Sequence, residues 1–207
     1  ILGLTGIFSP GSNANSGSQS NWQSGIPLPT GWMGATRMVV QSSASSVAAL
    51  GFFTPIALGL GPTWTEARIY PEAVSDATDT YTFRFGYADV YNGDAVDGAY
   101  FRYTHGVNGG RFECVTRNNS AETAQNSGVT FAINTDYILR IEISADASSA
   151  KFYINGSLVA TITTNIPSGL TRHTAYGIHM VKSVGTGVKV IAVDKIKIDY
   201  IYTTPLP

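Results

Sequence analysis

Three carboxylates lie within nine residues of one another in the segment DVYNGDAVD, residues 89–97. Carboxylate oxygens are among the ligands that Ca²⁺ prefers. Asp89, Asp94 and Asp97 are therefore candidate calcium ligands, although their spacing is not that of an EF-hand loop. The alternative is a solvated turn, in which Asp and Asn side chains bind the neighbouring backbone.

The same segment carries groups that suit a sugar. Tyr91 offers an aromatic face for stacking, and Asn92 and Asp94 can accept hydrogen bonds from hydroxyl groups. His105 and Asn108 follow in the next predicted loop, where they either complete the rim of such a site or are ordinary loop residues. Tyr91, Asn92, Asp94 and His105 are the candidate ligand-binding residues.

Several other chemistries lack their sequence patterns. There is no Gly-x-Ser-x-Gly elbow, no His or Cys cluster with zinc spacing and no glycine-rich loop leading into a helix. Cys114 is the single cysteine, so no intrachain disulfide can form, and its strand-like neighbours favour a buried apolar role. We predict no catalytic residue, and no cofactor other than the candidate calcium ion.

Short alternating segments would position these residues. In Asp79–Tyr87 the aromatic residues at positions 81, 83, 85 and 87 share one face. A strand is expected to open at Asp136, and Val188–Tyr202 reads as a long last strand in which Asp194 marks a bulge or a rim position. Ser42–Leu50 reads as a short helix or a loop. About a dozen such segments, with turn signals roughly every ten residues, are typical of an antiparallel β-sandwich or jelly roll.

The clearest local signal is the sequence YINGSLV, residues 153–159. An Asn-Gly pair readily takes the two left-handed conformations of a type I′ turn. The segments Lys151–Tyr153 and Leu158–Ile162 are therefore predicted to pair as antiparallel strands.

Longer runs carry a resemblance to a known fold. KFYING (residues 151–156), followed by Val159 and TNIP (164–167), resembles the concanavalin A-like lectin/glucanase superfamily. GAYF (98–101) and GTG (185–187), before a long last strand, are similar to laminin-G-like and phage virion members of that group. The resemblance implies an all-β jelly-roll sandwich of two antiparallel sheets. It also implies a virion protein that decorates a capsid or tail and binds host-surface glycans.

Enzymes on this fold need groups that the chain supplies poorly. Glycoside hydrolases place two carboxylates across the scissile bond, and the Glu-x-Asp-x-x-Glu motif of the superfamily's glucanases is absent. Sandwich-fold polysaccharide lyases use Arg, Asn or Gln, His and Tyr on one sheet. Their strand motifs are absent too, although residues of matching type are present: Arg84, Arg102, His105, Tyr176 and His179.

The composition of the chain limits the kinds of partner that it can bind. Thirteen basic and fourteen acidic residues leave a net charge of −1 with no long basic run, which argues against nucleic acid. No apolar run approaches the roughly 20 residues of a membrane-spanning helix. The charged fraction is 13%, about half the usual share of roughly 25%, and glycine and hydroxyl residues replace the missing charges.

The chain divides into two parts. Residues 1–34 are rich in Ser, Gly, Asn, Gln and Pro and are predicted to form an extended arm, and residues 35–207 form the sandwich domain. The arm is either a free tail or docks, through Trp22 and Trp32, on its own domain or on a neighbouring subunit.

The leading hypothesis is a non-enzymatic virion surface protein, such as a capsid decoration, head-fibre or tail module. Its arm would contact identical subunits or other virion proteins in a homo-oligomer, on the virion surface or outside the cell. The alternative is a free carbohydrate-binding module or lectin, and the third hypothesis is a polysaccharide lyase or glycoside hydrolase.

Overall fold

The structure is a computed structural model that describes residues 29–30, 32, 35–41 and 45–201, with the backbone alone at residues 52–54. Within these ranges the chain forms twelve strands and one 3₁₀ turn, Val107–Gly109, and no α-helix. The strands are β1 (Thr36–Val40), β2 (Val47–Ala57), β3 (Thr63–Pro71), β4 (Thr80–Ala88), β5 (Gly98–Thr104), β6 (Arg111–Asn118), β7 (Ala121–Thr130), β8 (Tyr137–Ile143), β9 (Ala150–Ile154), β10 (Ser157–Ile162), β11 (His173–Val184) and β12 (Lys189–Tyr200). No helix among the described residues is long and apolar enough to cross a membrane.

The strands form two six-stranded sheets. The first has the order β1-β12-β3-β8-β9-β10, and the second has the order β2-β11-β4-β5-β6-β7. Every pairing between neighbouring strands is antiparallel. The predicted all-β antiparallel sandwich is confirmed.

The core lies between the sheets and follows from the period-two pattern. On β4 the side chains of Tyr81, Phe83, Phe85 and Tyr87 are at most 1% exposed, and they pack against the inner residues of the first sheet. Burying a large apolar side chain contributes about 2 kcal/mol, so this strand alone holds much of the core together. Cys114 is also fully buried, and burial, followed by the nearby Glu113 charge, strongly raises the pKa of its thiol.

The predicted hairpin is confirmed. Asn155 and Gly156 have φ angles of 51° and 80° and connect β9 to β10 as a type I′ turn requires. Asn155 also fixes the hairpin to the neighbouring strand. Its backbone N–H donates to the Ile138 carbonyl at 2.8 Å, and its side-chain oxygen accepts from the Ile138 N–H at 2.7 Å.

The predicted bulge in the last strand is confirmed as well. The pairing of β12 with β3 shifts register between Val193 and Lys195, so Asp194 is the extra residue. Its carboxylate lies 3.5 Å from Arg68 on β3.

Two local expectations change. Residues 47–50 belong to β2, so the helix alternative is wrong for them, while residues 42–44 lie outside the described residues. Strand β7 was not expected, because its sequence AETAQNSGVT is polar without alternation. It forms because β6 offers it a complete edge of backbone donors and acceptors, and most of its side chains remain exposed.

Most of the predicted arm lies outside the described residues, but Trp32 does not. Its ring packs edge-on against Tyr70 at 6.1 Å, and the Arg68 guanidinium lies 5.2 Å from it. Its indole N–H points at the Asp136 carboxylate at 3.5 Å. At residue 32, therefore, the chain docks on the outer face of the first sheet.

Candidate functional site

The outer face of the second sheet carries a row of polar side chains. Register pairs His179 with Arg84, Arg84 with Arg102, and Arg102 with Glu113 on four adjacent strands. Neighbouring strands lie about 4.8 Å apart, so these residues form one continuous line. We call these four residues the polar row.

A row of glycines lies two residues away from the polar row on β11 and β4 and continues onto β2. Gly51 pairs with Gly177, Gly177 with Gly86, and Gly86 with Tyr100. A Cβ atom built on Gly177 would lie 2.8 Å from the Leu50 carbonyl oxygen, which is too close for any other residue without movement of the backbone. We call Gly51, Gly177 and Gly86 the glycine row; without side chains, it leaves a trough across three strands.

The trough is the floor of a shallow, open groove with about 70 Å³ of space that water-sized groups can enter. Val90 and Tyr91 line it beside the glycine row, and Tyr91 is 42% exposed. His179 and Ala49 also line it. The groove is therefore mainly apolar and backbone-lined, with an aromatic residue at its side.

The segment 89–97 forms that side, and we call it the acidic loop. Its base is closed by the Asp89 N–H, which donates to the Asp97 carbonyl at 3.1 Å, and by the Val96 N–H, which donates to the Asp89 carboxylate at 2.9 Å. Ala95 is buried against Tyr100 and Val115 on the sheet. The loop thus lies on the sheet rather than standing away from it.

Asp94 reaches from the acidic loop to the polar row. Its carboxylate accepts a hydrogen bond from Nη2 of Arg84 and lies 3.8 Å from Arg117. Arg84 is 6% exposed, whereas the Asp94 side chain is 55% exposed. Partial burial opposes ionisation of Asp94, but Arg84 and the other arginines outweigh it and lower the pKa of its carboxyl.

His179 lies beneath the loop and is 5% exposed. Burial, and then the charge of Arg84, lower the pKa of its imidazole to about 3. His179 is therefore neutral near pH 7. Its ring forms a hydrogen bond with the Gly93 backbone, while none of the described residues provides a hydrogen-bond partner for Nε2.

Other buried polar atoms near the loop also lack partners. They are Nε and Nη1 of Arg84, the hydroxyl of Tyr100 and Nε of Arg117. A buried polar atom without a partner costs about 1–3 kcal/mol. Such a concentration on one face marks it as a place where a ligand's polar groups would fit.

The far end of the polar row is fully paired by contrast. Arg102 donates to Glu113 at 2.8 Å and to Glu122 at 2.9 and 3.0 Å. Asn108 donates to the other oxygen of Glu113 at 2.9 Å. Burial opposes the charge on Arg102, but its hydrogen bonds to Glu122 and Glu113 raise the pKa of the guanidinium.

The predicted calcium ligands do not converge. Asp89 closes the base of the loop, Asp94 pairs with Arg84, and Asp97 accepts from Arg172 at 2.9 Å and from the Asn119 N–H at 2.8 Å. Within the described ranges, no three acidic, His or Cys side chains are grouped to hold a metal ion. The carboxylates diverge because each is used by a different part of the scaffold.

The residues predicted to form the rim of a sugar site lie in two separate places. Tyr91 and Asn92 are exposed at the tip of the acidic loop, and Asp94 lies beside them. His105 follows the other end of β5, a seven-residue strand that spans roughly 20 Å. The expectation that His105 completes a rim with Tyr91 was therefore wrong, because adjacent loops in sequence lie at opposite ends of an antiparallel strand.

Only some of the residues whose types a polysaccharide lyase would need lie together. Arg84, Arg102 and His179 share the polar row, but Tyr176 packs in the core cluster. His105 is exposed at the distant end of the sheet.

Sequence reasoning missed Tyr100, Arg117 and the glycine row. A signal for Tyr100 was available, because it alternates with Phe101 on β5 and so faces outward. Its burial was not predictable, since the alternation does not show that the preceding acidic loop folds back over β5.

Comparison with known proteins places the chain in a family. The model of the family described as SO2946-like, C-terminal domain, matches residues 14–194. The chain belongs to this family. No curated protein matches the chain significantly in sequence.

Solved structures share the fold. The chain is similar to SO2946 from Shewanella oneidensis MR-1, a protein of unknown function, with a TM-score of 0.61 and 14% identity, covering 89% of this chain and 77% of that one. It is similar to the carbohydrate recognition domain of Emp47p, with a TM-score of 0.56 and 13% identity over 81% and 83% of the two chains. It is also similar to the alginate lyase AlgAT5 of polysaccharide lyase family 7, with a TM-score of 0.53 and 12% identity over 81% and 78%.

These structures are lectin-like jelly rolls, and at such identities the likeness concerns the fold. The concanavalin A-like jelly-roll sandwich expected from the sequence is confirmed.

Proposed function

We propose that the chain is a non-enzymatic glycan-binding module that holds a saccharide in the groove along the glycine row. The observation that carries the proposal is this groove, because it joins a side-chain-free floor to an exposed aromatic residue, Tyr91. A sugar ring can lie flat on exposed backbone and turn an apolar face to an aromatic ring. The similarity in fold to the Emp47p carbohydrate recognition domain supports this choice.

The polar groups around the groove also suit sugar hydroxyls. Asp89 and His179 line it, and Asn92 lies exposed at the adjacent loop tip. Ligand sites in proteins combine a mainly apolar lining with a few polar groups that orient the ligand. The groove has this composition.

The state of the polar row favours binding over cleavage. A lyase needs a group that removes a proton and a cation that stabilises the resulting charge. Here the candidate base, His179, is 5% exposed beneath the acidic loop. We therefore propose no catalytic residue; incubation with alginate and other uronate polymers should release no unsaturated product.

The test of binding is a glycan array followed by titration of the best ligand. Replacing Tyr91 with alanine should weaken binding at least tenfold, since the stacking face is lost. Tyr200→Ala is a matched control, because Tyr200 is 43% exposed but lies on the first sheet. Equal effects of the two variants, or no binding to any glycan, would overturn the proposal.

Calcium dependence is a separate expectation. Asp89, Asp94 and Asp97 each have protein partners, so we propose that glycan binding needs no calcium. A chelator should leave the affinity unchanged. Loss of binding on chelation, restored by Ca²⁺, would assign the acidic loop to a metal after all.

The virion role expected from the sequence stays a prediction, as do the homo-oligomer and the surface location. Docking of Trp32 on the first sheet leaves the second sheet's groove uncovered by residue 32. A module attached through its N-terminal segment would thus present the groove outward. Co-sedimentation of the purified chain with virions, and its mass in solution, are the measurements that test this.

A further inference from the structure

Arg84 is a buried cation that its protein partner satisfies only in part. It is 6% exposed, and Asp94 accepts from Nη2, while Nε and Nη1 have no hydrogen-bond partner among the described residues. A guanidinium presents its N–H groups as a planar fork that matches both oxygens of a carboxylate. Asp94 uses one prong of this fork, so a second oxygen could be accommodated.

The surroundings of Arg84 offer further unused groups. The Tyr100 hydroxyl and Nε of Arg117 are buried on the same face without partners. Tyr100 is fully buried and pairs in register with Gly86 of the glycine row. Unused donors thus lie beside the polar row, and His179, which pairs in register with Arg84, connects that row to the groove.

Asp94 can leave this position without unfolding the loop. Its side chain is 55% exposed, so rotation about its χ angles carries the carboxylate into water. The base of the acidic loop is held independently by the bonds of Asp89 and Asp97. The contact with Arg84 is therefore reversible by a side-chain movement alone.

The charge balance changes when Asp94 turns away. Three arginines face three carboxylates on this part of the sheet, and His179 is neutral: Arg84, Arg102 and Arg117 against Asp94, Glu113 and Glu122. Glu113 and Glu122 remain tied to Arg102. With Asp94 turned away, Arg84 and Arg117 lose this carboxylate partner, and Asp89 remains as a negative charge at the groove.

We propose that Asp94 occupies the place of a ligand's carboxylate, and that the groove is specific for an acidic saccharide. Its carboxylate replaces Asp94 on Arg84 while its ring lies over the glycine row beside Tyr91. Arg84 and Gly86 are two residues apart on β4, roughly 7 Å. This inference rests on the proposed glycan binding and names its ligand class.

Matched sugar pairs test the proposal directly. The probes are methyl glycosides of glucuronate and glucose, galacturonate and galactose, and mannuronate and mannose, titrated by NMR. Each pair differs in a single carboxylate. At least one uronate should bind about tenfold more tightly than its neutral partner.

Variants then assign the effect to Asp94 and Arg84. Asp94→Asn removes the competing charge and should raise uronate affinity about fivefold without changing that of the hexose. Arg84→Lys keeps the charge but loses the planar fork, so it should abolish the preference for uronate. Asp76→Asn is the control, because Asp76 is 52% exposed and pairs with Lys189 away from the groove.

The outcomes separate this inference from the proposed function. If uronates bind no better than hexoses, or Asp94→Asn leaves their affinity unchanged, the inference is overturned even when array glycans still bind in a Tyr91-dependent way. If no saccharide binds to the protein or to either variant, both proposals fail. Should Arg84→Lys fail to fold, the Asp94→Asn result alone decides.

Discussion

The outer faces of the two sheets use the same residue types with opposite results. On the first sheet, Arg140 lies 4.2 Å from the Trp64 ring and donates to Glu142 at 2.8 Å, and Glu66 lies 3.9 Å from both Arg140 and Lys197. Among the described residues, none of these side chains has a buried polar atom without a partner. These particular first-sheet charges form a partly exposed surface network.

On the second sheet the arginines are covered. The acidic loop buries Arg84, Tyr100 and His179 and leaves polar atoms of all three unpaired. The difference does not come from the strands, whose alternation is the same on both sheets. A loop that packs across a sheet therefore leaves a charged row with polar groups that a ligand could use.

The largest expected effect of this difference is on the free energy of unfolding when Asp94 or Glu142 is replaced. Asp94→Ala leaves Arg84 buried without a carboxylate and should lower the free energy of unfolding by about 3 kcal/mol. Glu142→Ala on the first sheet should cost less than about 1 kcal/mol, because the side chains of both partners are about a third exposed. Urea unfolding of both variants measures this, and equal losses would show that the loop adds nothing to the pairing.

A second expected effect is that the free energy of unfolding depends on pH. The pKa of His179 is about 3 in the folded state and near 6.5 when unfolded, so acid protonates the unfolded chain first. The stability that this pKa difference contributes is present above pH 6.5 and is lost as pH falls toward 3. The loss between pH 7 and pH 5 is about 2 kcal/mol. Arg84 and Asp94 face the imidazole, and Asp94, whose pKa is also lowered, adds a loss in the same direction.

Urea unfolding at pH 7 and pH 5 measures this slope. His179→Gln removes the titrating group and should flatten it, whereas His105→Gln, at an exposed site, should not. An unchanged slope in His179→Gln would contradict the burial of a neutral imidazole.

The smallest expected effect concerns the glycine row. Gly177→Ala places a Cβ atom 2.8 Å from the Leu50 carbonyl oxygen and should cost about 1–2 kcal/mol. Gly93→Ala is the control, since nothing lies within 4 Å of its Cβ position. Thermal unfolding compares them, and similar midpoints would mean that the strands adjust freely around the trough.

Much of the scaffold was predictable because its causes are local. Alternation placed Phe83 and Phe85 in the core, Asn155-Gly156 specified its turn, and Asp194 marked the bulge. Strand β7 was missed because its pairing with β6 depends on an available edge and not on its own pattern.

The site was predictable only in its parts. The sequence identified Tyr91, Asn92 and Asp94 as a polar loop, but it left open whether His105 joins them in a rim and whether the three carboxylates hold one ion. Both questions stayed open for one reason: proximity along the chain says little about which end of a strand a loop occupies or which partner a side chain meets.

By itself, the order of residues determined the strands, the turns and the apolar face of each sheet, since these depend on steric and hydrophobic preferences of near neighbours. Only the tertiary structure decided that three glycines align across strands, that Asp94 reaches Arg84, and that His179 is buried. Those outcomes depend on strand register and on how one loop packs over a distant surface, and neither is encoded within a short stretch of chain.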